Sequence, residues 1–330
     1  MATESPKTPI EAVTYFSDPK VCEDALVAAR WPRGVQCPTC GSLKVRRLET
    51  QKRWECSNKH PRRQFSAKKG SIFEDSPISL SKWFVAIWLI SSAKNGISSY
   101  ELGRSVGLTQ KSAWFVLHRI RLAMQARSFE KKFEGHVEAD ETYIGGRARF
   151  MHMHRRREIF KGRHGFVGKI AVHGLFDRHG PDGHSRVSTV VVPTNRRHQL
   201  QQHIRATVKM DGHTTLYTDA LKSYVPKTPK GWRPSDLYVH KAIDHAEAYV
   251  NGAIHTNGME NYWSLLKRTI KGTYVSVEPF HLFRYLDEQA FRFNTRKQTD
   301  ADRFDEMTGR LFGRRLTYVE LTATPQEQSA

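Results

Sequence analysis

The sequence predicts an α/β protein: a mixed sheet with flanking helices, preceded by a small cysteine-bearing ribbon and a helical unit. Three observations carry this prediction. Cys37, Cys40 and Cys56 fall within a short stretch rich in Arg and aromatic residues, and apolar residues recur at helical spacing from about Leu80 to Gln125. Beyond Phe133 the texture changes to β-rich runs separated by turns and helical segments. A length of 330 residues exceeds the roughly 100 to 200 of one ordinary domain, so two or three packed units are expected.

Composition narrows the partners. The formal net charge is +20, and the basic residues are spread through the chain instead of sitting in one tail, which favours a long polyanion, double-stranded DNA above all. A membrane partner is not expected, since no apolar run approaches the roughly 18 residues needed to span a bilayer. Met1 to Tyr15 lacks the pattern of a secretory signal, so a cytoplasmic, nucleoid-associated protein is expected. Four cysteines in a reducing compartment then point to metal before disulfide.

Taken in order, Ser17-Asp18-Pro19 opens a helix that Trp31-Pro32 breaks after Arg30, and Cys22 on its apolar face is expected as a buried thiol. Cys37-Pro38-Thr39-Cys40-Gly41 comes next. Two residues between thiolates let both sulfurs meet one tetrahedral ion, and Cys56 lies at a normal ribbon distance. Lys59 occupies the position of a fourth ligand and cannot serve, whereas His60 is one step on, so Cys37, Cys40, Cys56 and His60 are the expected structural Zn2+ ligands. Trp83, Phe84, Ile87, Trp88 and Leu89 give the segment from Leu80 to Ser92 a helix apolar over much of its circumference.

Ser98 to Ser105, the turn at Gly107 and a helix from Gln110 to Gln125 capped by Thr109 have helix-turn-helix spacing. Leu102, Val106, Leu108, Ala113 and Val116 would bury its inner face. Gln110, Lys111, Ser112, His118, Arg119 and Arg121 fall among the polar positions, the first few suited to base edges and the arginines to phosphates. An ordinary helical bundle with solvated charges is the competing explanation.

Five strands are predicted in the remainder: Val137 to Ile144, Lys169 to Phe176, Val187 to Val192, Thr214 to Thr218 and Leu237 to Val239. The Gly, Pro and Asp-rich turn from Asp177 to His184 makes the second and third an antiparallel hairpin. A helix over Asn195 to Val208 and a helical turn at Ala220 to Tyr224 complete the order βββ-α-β-α-β-α, which is that of the RNase H-like fold. Gly145 to Gly168 reads as an exposed basic loop with Arg155, Arg156, Arg157, Lys161 and Arg163. The expected domains are a ribbon with its leading helix (17–70), a helix-turn-helix unit (71–130), the RNase H-like unit (133–298) and a C-terminal helix and tail (299–330), disordered from about Thr324.

In that order of elements the first and fourth strands lie side by side, so Asp140 and Asp219 can meet. Hard oxygen ligands there suit Mg2+ or Mn2+. A third carboxylate is expected from the final helix, where Glu260 occupies the first turn and Lys267 stands close to two turns further, on the same face and able to meet a phosphate. Each has a plainer explanation. Glu141 is a solvent-facing neighbour, Asp219 can cap the segment after its strand, Lys267 can be merely solvated, and Asn257 with Glu260 has capping-box spacing.

At these residues the chain resembles the bacterial and archaeal insertion-sequence transposases whose catalytic region is called ISXO-like and which carry an N-terminal zinc ribbon. The resemblance rests on Arg30-Trp31-Pro32 with the CPTCG knuckle, QFSAKKGSIFEDSPISLSKW, GHVEADETYIGG, TDALKSY, HTNGMENYWSLLKRTIKGTY and RYLDEQAFRFN, over about residues 20 to 297. It implies a DDE transposase with Asp140 and Asp219 as metal ligands, moving a DNA element bounded by short inverted repeats. Metal-assisted hydrolysis at the element ends, then attack of the freed 3′-hydroxyl on target DNA, is the implied chemistry, with a homodimer or higher assembly pairing two ends. Tyr143 and Tyr262 are expected to pack or to stack on DNA. The chain departs from the group in offering Lys59-His60 where a second paired cysteine is usual, and members vary at the third catalytic position, so Asn257 competes with Glu260. A non-catalytic DNA-binding regulator and a plain nuclease are the rival functions.

Overall fold

The structure, a computed structural model, describes residues 6–125, 131–145, 153–154, 169–219, 222–224, 237–243 and 255–323. It divides into two compact units, Met1–Gln125 with Thr295–Ala330, and Ala126–Asn294. The cationic residues of the basic loop, Arg155, Arg156, Arg157, Lys161 and Arg163, and the tail from Thr324 lie outside the described residues.

The first unit begins with a helix the sequence pattern did not announce, α1 (Pro9–Tyr15), whose start is capped by Thr8. In α2 (Pro19–Arg30), Asp18 accepts from the Lys20 N–H, and Cys22 and Leu26 face inward, the Cys22 thiol donating to the Phe16 carbonyl. Strands β1 (Val45–Leu48), β2 (Arg53–Cys56) and β3 (Gln64–Phe65) form an antiparallel sheet in which Trp54 stands opposite Phe65 and Trp31 meets both rings edge-on. Helix α3 (Leu80–Ser92), capped by Ser79, buries Trp83, Phe84, Ile87 and Trp88, and Phe84 stacks on Phe16 at 4.6 Å.

The helix-turn-helix forms as expected from α4 (Ser99–Val106) and α5 (Gln110–Met124). Gly107 ends α4 in the left-handed region at φ 64°, and Gly103 lets the two helices close, since a Cβ there would lie 2.8 Å from the Leu108 carbonyl oxygen. Helices α9 (Asp300–Gly309) and α10 (Tyr318–Thr322), each begun by a capping box, complete the unit. Phe304 packs on Phe16, Phe84 and Trp88, so the C-terminal segment that the sequence suggests as a separate stretch at 299–330 is part of the first unit.

This packing corrects the expectation for α5. His118, Arg119 and Arg121 are buried and do not present themselves to DNA phosphates, and the C-terminal segment lies against Arg119. The Arg119 guanidinium donates to the carbonyls of Leu316, Ile72 and Glu74, and Arg314 donates to those of Leu122 and Gln125, where the helix leaves its last carbonyls without internal partners. Arg119→Ala leaves three acceptors to find new donors, and urea denaturation of the first unit is expected to record a loss on the order of 3 kcal/mol.

The second unit is a five-stranded sheet in the order β6-β5-β4-β7-β8, from β4 (His136–Ile144), β5 (Ile170–Asp177), β6 (Arg186–Val192), β7 (Thr215–Asp219) and β8 (Val239–Ile243). The β4–β5–β6 meander is antiparallel, and β7 and β8 run parallel to β4. The last strand starts two residues later than expected. Val239 is the residue registered against Thr215, while Leu237 and Tyr238 serve the core before the ladder begins, the Tyr238 hydroxyl donating to the Tyr224 carbonyl. Helix α6 (Arg197–Thr207) covers one face through Leu200 and Ile204. On the other, α7 (Asn257–Thr269) and α8 (Leu282–Asn294) bury Met259, Tyr262, Trp263, Leu266 and Leu286 against Val172, Phe176 and Val187. Tyr262 is fully buried in this layer, which assigns it to packing.

Two glycines fix how closely α7 approaches the sheet. A Cβ on Gly174, which stands opposite Asp140 in the sheet, would lie 2.3 Å from Met259 and 2.6 Å from Trp263. A Cβ on Gly258 would come within 2.6 Å of the Phe176 ring and 2.9 Å of the Glu138 carboxylate. The helix therefore lies against the backbone at the point where β4 carries its acids.

Candidate functional site

Strand alternation places Glu138 and Asp140 on the α7 face of β4 and Glu141 on the α6 face. Asp219 ends the neighbouring parallel strand β7. Asp140, Glu141 and Asp219 each offer an oxygen, and these atoms all lie within 4.8 Å of one another. The sheet therefore brings together the two aspartates expected from sequence and adds Glu141, which the sequence suggested as a bystander. Glu260 is exposed on the first turn of α7 and falls outside that close group, though its charge acts on Asp140. Lys267 is exposed further along the same helix.

The carboxylates are held by specific donors. Trp263 Nε1 donates to Asp140 Oδ2 at 2.9 Å, and the buried Tyr224 hydroxyl donates to Glu141 Oε1 at 2.7 Å. Burial pushes the Asp140 carboxyl up to about 6, with the charges of Asp219 and Glu260 adding to it and the Trp263 bond opposing it. Burial likewise lifts Glu141 to about 7, reinforced by Asp219 and Asp140. Neither Trp263 nor Tyr224 was evident as a site residue in the sequence, although Tyr224 closes the TDALKSY motif.

The capping-box alternative for Glu260 does not form. Thr256 is the N-cap, its side chain makes no capping bond, and Asn257 is the first helical residue; the Thr256 hydroxyl reaches Glu260 Oε1 only at 3.5 Å. The Glu260 carboxylate is thus not spent on closing its own helix.

Asp140 and Glu141, whose ionisation is opposed by burial and by neighbouring negative charge, are stabilised as carboxylates by a cation, and an all-oxygen donor set suits a hard divalent ion. Protons compete with that ion. Both carboxyls have folded values above the ordinary carboxylate range, so Mn2+ affinity is expected to rise from pH 5 to about 7.5 and then level off, as calorimetric titration across pH would record. The metal-free protein moves the opposite way: with raised folded values, stability is lost as pH climbs from about 4 through 7.

In the first unit, Cys37, Cys40, Cys56 and His60 present ligand atoms within 4.8 Å of one another. Cys37 Sγ lies 3.4 Å from His60 Nε2, and Cys40 Sγ 3.6 Å from Cys56 Sγ. His60 Nδ1 is 2.8 Å from the Pro61 carbonyl, which takes its proton and leaves Nε2 as the free ligand atom. Burial opposes ionisation of the Cys37 thiol, but the N–H groups of Cys40 and Thr39 and the neighbouring sulfurs bring it down to about 7. Three soft thiolates and an imidazole are a zinc donor set, and His60 supplies the ligand that Lys59 cannot.

An acidic centre on the first and fourth strands of an RNase H-like sheet, in a chain that also carries a zinc ribbon, defines a DDE transposase. Comparison with known proteins agrees in both units: residues 132–294 match the ISXO2-like transposase domain of the IS1595 type, and residues 17–58 match the transposase zinc-ribbon domain of the same type. The chain belongs to this family of ISXO2-like transposases. It is similar to a Halobacterium salinarum protein described as an uncharacterized protein in transposable element ISH50, with 27% identity over 264 residues, covering 77% of this chain and 84% of the relative.

Proposed function

We propose that this transposase cuts the ends of a DNA element and joins the freed 3′-hydroxyls to target DNA at the centre built on β4 and β7. The observation that carries the reading is the convergence of Asp140 and Asp219 from adjacent parallel strands. Asp140 and Asp219 hold Mg2+ or Mn2+, with Glu260 completing the donor set from α7 and Glu141 available at the same cluster. When bound, such ions activate the attacking oxygen and stabilise the leaving one in an in-line displacement.

In the first step water forms a new P–O bond and the element's 3′ oxygen leaves as a hydroxyl. In the second that hydroxyl attacks a target phosphodiester and displaces a target 3′ oxygen. The acceptor in each step is a DNA phosphate, so no protein side chain needs to become covalently attached. Lys267, exposed on the same helix as Glu260, meets a phosphate beside the centre. The ribbon and helix-turn-helix grip the terminal inverted repeats, and with Arg119 and Arg121 buried, base reading falls to the exposed first turn of α5, Gln110 and Lys111. A homodimer pairs the two element ends.

Incubating the full chain with labelled element ends, a target plasmid and Mg2+ is expected to give joined products. Cutting without joining would make the protein a nuclease, and binding without cutting a regulator; either result overturns the proposal.

A further inference from the structure

A second carboxylate on β4 does work outside the metal cluster. Glu138 is buried, 1% exposed, two residues before Asp140 and on the same strand face. Its Oε2 accepts from the Met259 N–H at 2.9 Å, and its Oε1 accepts from Arg178 Nε at 2.8 Å. Met259 is the third residue of α7, whose own N-cap provides no side-chain bond, so a strand carboxylate caps this helix from outside. Negative charge at a helix N-terminus is favourable. Arg178 also donates to the His255 carbonyl at 2.8 Å and so holds the residues leading into the helix.

An ion pair serving stability alone would be complete with Arg178. What distinguishes Glu138 is the place of its second bond. One turn beyond Met259, Trp263 Nε1 bonds Asp140, so α7 is fastened to β4 at two points, and Glu260 lies between them. Gly258 and Gly174 clear the space that lets this stretch of helix sit so close. We propose that Glu138 is a positioning residue: by capping α7 it fixes where Glu260 stands relative to Asp140, and through Glu260 it sets the affinity of the centre for its divalent ion. The proposal rests on the reading of Glu260 as the third ligand.

The test is Mn2+ binding to the full-length, zinc-loaded protein by titration calorimetry, run beside the joining assay. Glu138→Ala is expected to weaken Mn2+ binding about tenfold, the usual effect of removing a group that orients a ligand. Glu260→Gln is expected to weaken it at least as much, and the double variant to bind no more weakly than Glu260→Gln alone, because both changes act through one ligand. Glu138→Gln keeps an acceptor for the Met259 N–H and is expected to recover most of the affinity. Gly258→Ala drives a methyl group against Phe176 and Glu138, lifts the helix start without altering an acid, and is expected to reproduce the loss; it carries the test should Glu138→Ala fail to melt cooperatively.

Unchanged Mn2+ affinity in folded Glu138→Ala or Gly258→Ala overturns the proposal. So do losses that multiply in the double variant, or a Glu260→Gln protein that binds Mn2+ normally. The two readings separate cleanly: unmodified protein that shows this binding pattern yet never joins DNA sinks the strand-transfer chemistry and keeps the positioning role. Normal joining with normal Mn2+ affinity in Glu138→Ala does the reverse.

Discussion

Asp140→Asn and Asp219→Asn are each expected to cut joining of element ends to target DNA by at least about 10³-fold, the loss that accompanies several kcal/mol of transition-state stabilisation. The informative part is what happens to stability. Asp140 is half-buried beside other acids, and its carboxyl is pushed up to about 6, so its ionised form costs the metal-free fold something at neutral pH. An asparagine keeps an oxygen to accept from Trp263 Nε1 and removes that repulsion. Metal-free Asp140→Asn is therefore expected to be more stable at pH 7.5, by on the order of 1 kcal/mol and with a higher thermal midpoint, and the difference from the unmodified protein is expected to vanish near pH 4. Scanning calorimetry at the two pH values checks this. A variant that loses activity and stability together would place Asp140 among structural residues.

The second large effect lies in the ribbon. Structural zinc in small modules contributes about 10 to 16 kcal/mol of apparent binding energy at neutral pH, far more than a three-stranded sheet of two to four residues per strand can supply by itself. Chelation, or Cys56→Ala, is expected to unfold β1 to β3, to release the Trp31, Trp54 and Phe65 rings from one another, and to abolish hydrogen-exchange protection across Val45 to Phe65. Protection in the five-stranded sheet of the other unit is expected to persist. Cys22→Ala is the control: its thiol bonds the Phe16 carbonyl and is not among the clustered ligands, so zinc content should remain unchanged. Loss of zinc from that variant would mean that the ligand set is wrong.

Most of the architecture was readable because its signals are local. The meander announces itself through alternating runs and a turn rich in Gly, Pro and Asp. Gly107 and Thr109 mark the helix-turn-helix to within a residue, and the knuckle at Cys37 and Cys40 carries its chemistry in its spacing. The errors at polar residues have one cause, which is that burial of polar groups depends on distant chain. Arg119 looks like a surface residue until its guanidinium meets the Leu316 carbonyl, nearly 200 positions away in sequence. Glu141 points to the opposite face of its strand from Asp140, so alternation argues against it; only where the sheet opens at the end of β7 do the two carboxylates converge. Glu138 was silent for a similar reason, because its partner N–H belongs to Met259, more than 100 residues later. The centre's aspartates were legible from strand order, and the groups that hold and orient them were not.

The return of the C-terminal segment to the first unit has a consequence for how the chain is made. As synthesis proceeds, α3 emerges early with Phe84 and Trp88 exposed, and their partner Phe304 arrives only after the whole catalytic unit has been translated. The first unit therefore cannot finish folding until its closing segment, Thr295–Ala330, has left the ribosome, although most of it was synthesised first. A message broken before that point, or a premature stop after Asn294, would yield a protein with an intact sheet and an unsealed helical unit whose bare aromatic face invites aggregation or proteolysis. Only chains that carry Phe304 would seal the helical unit.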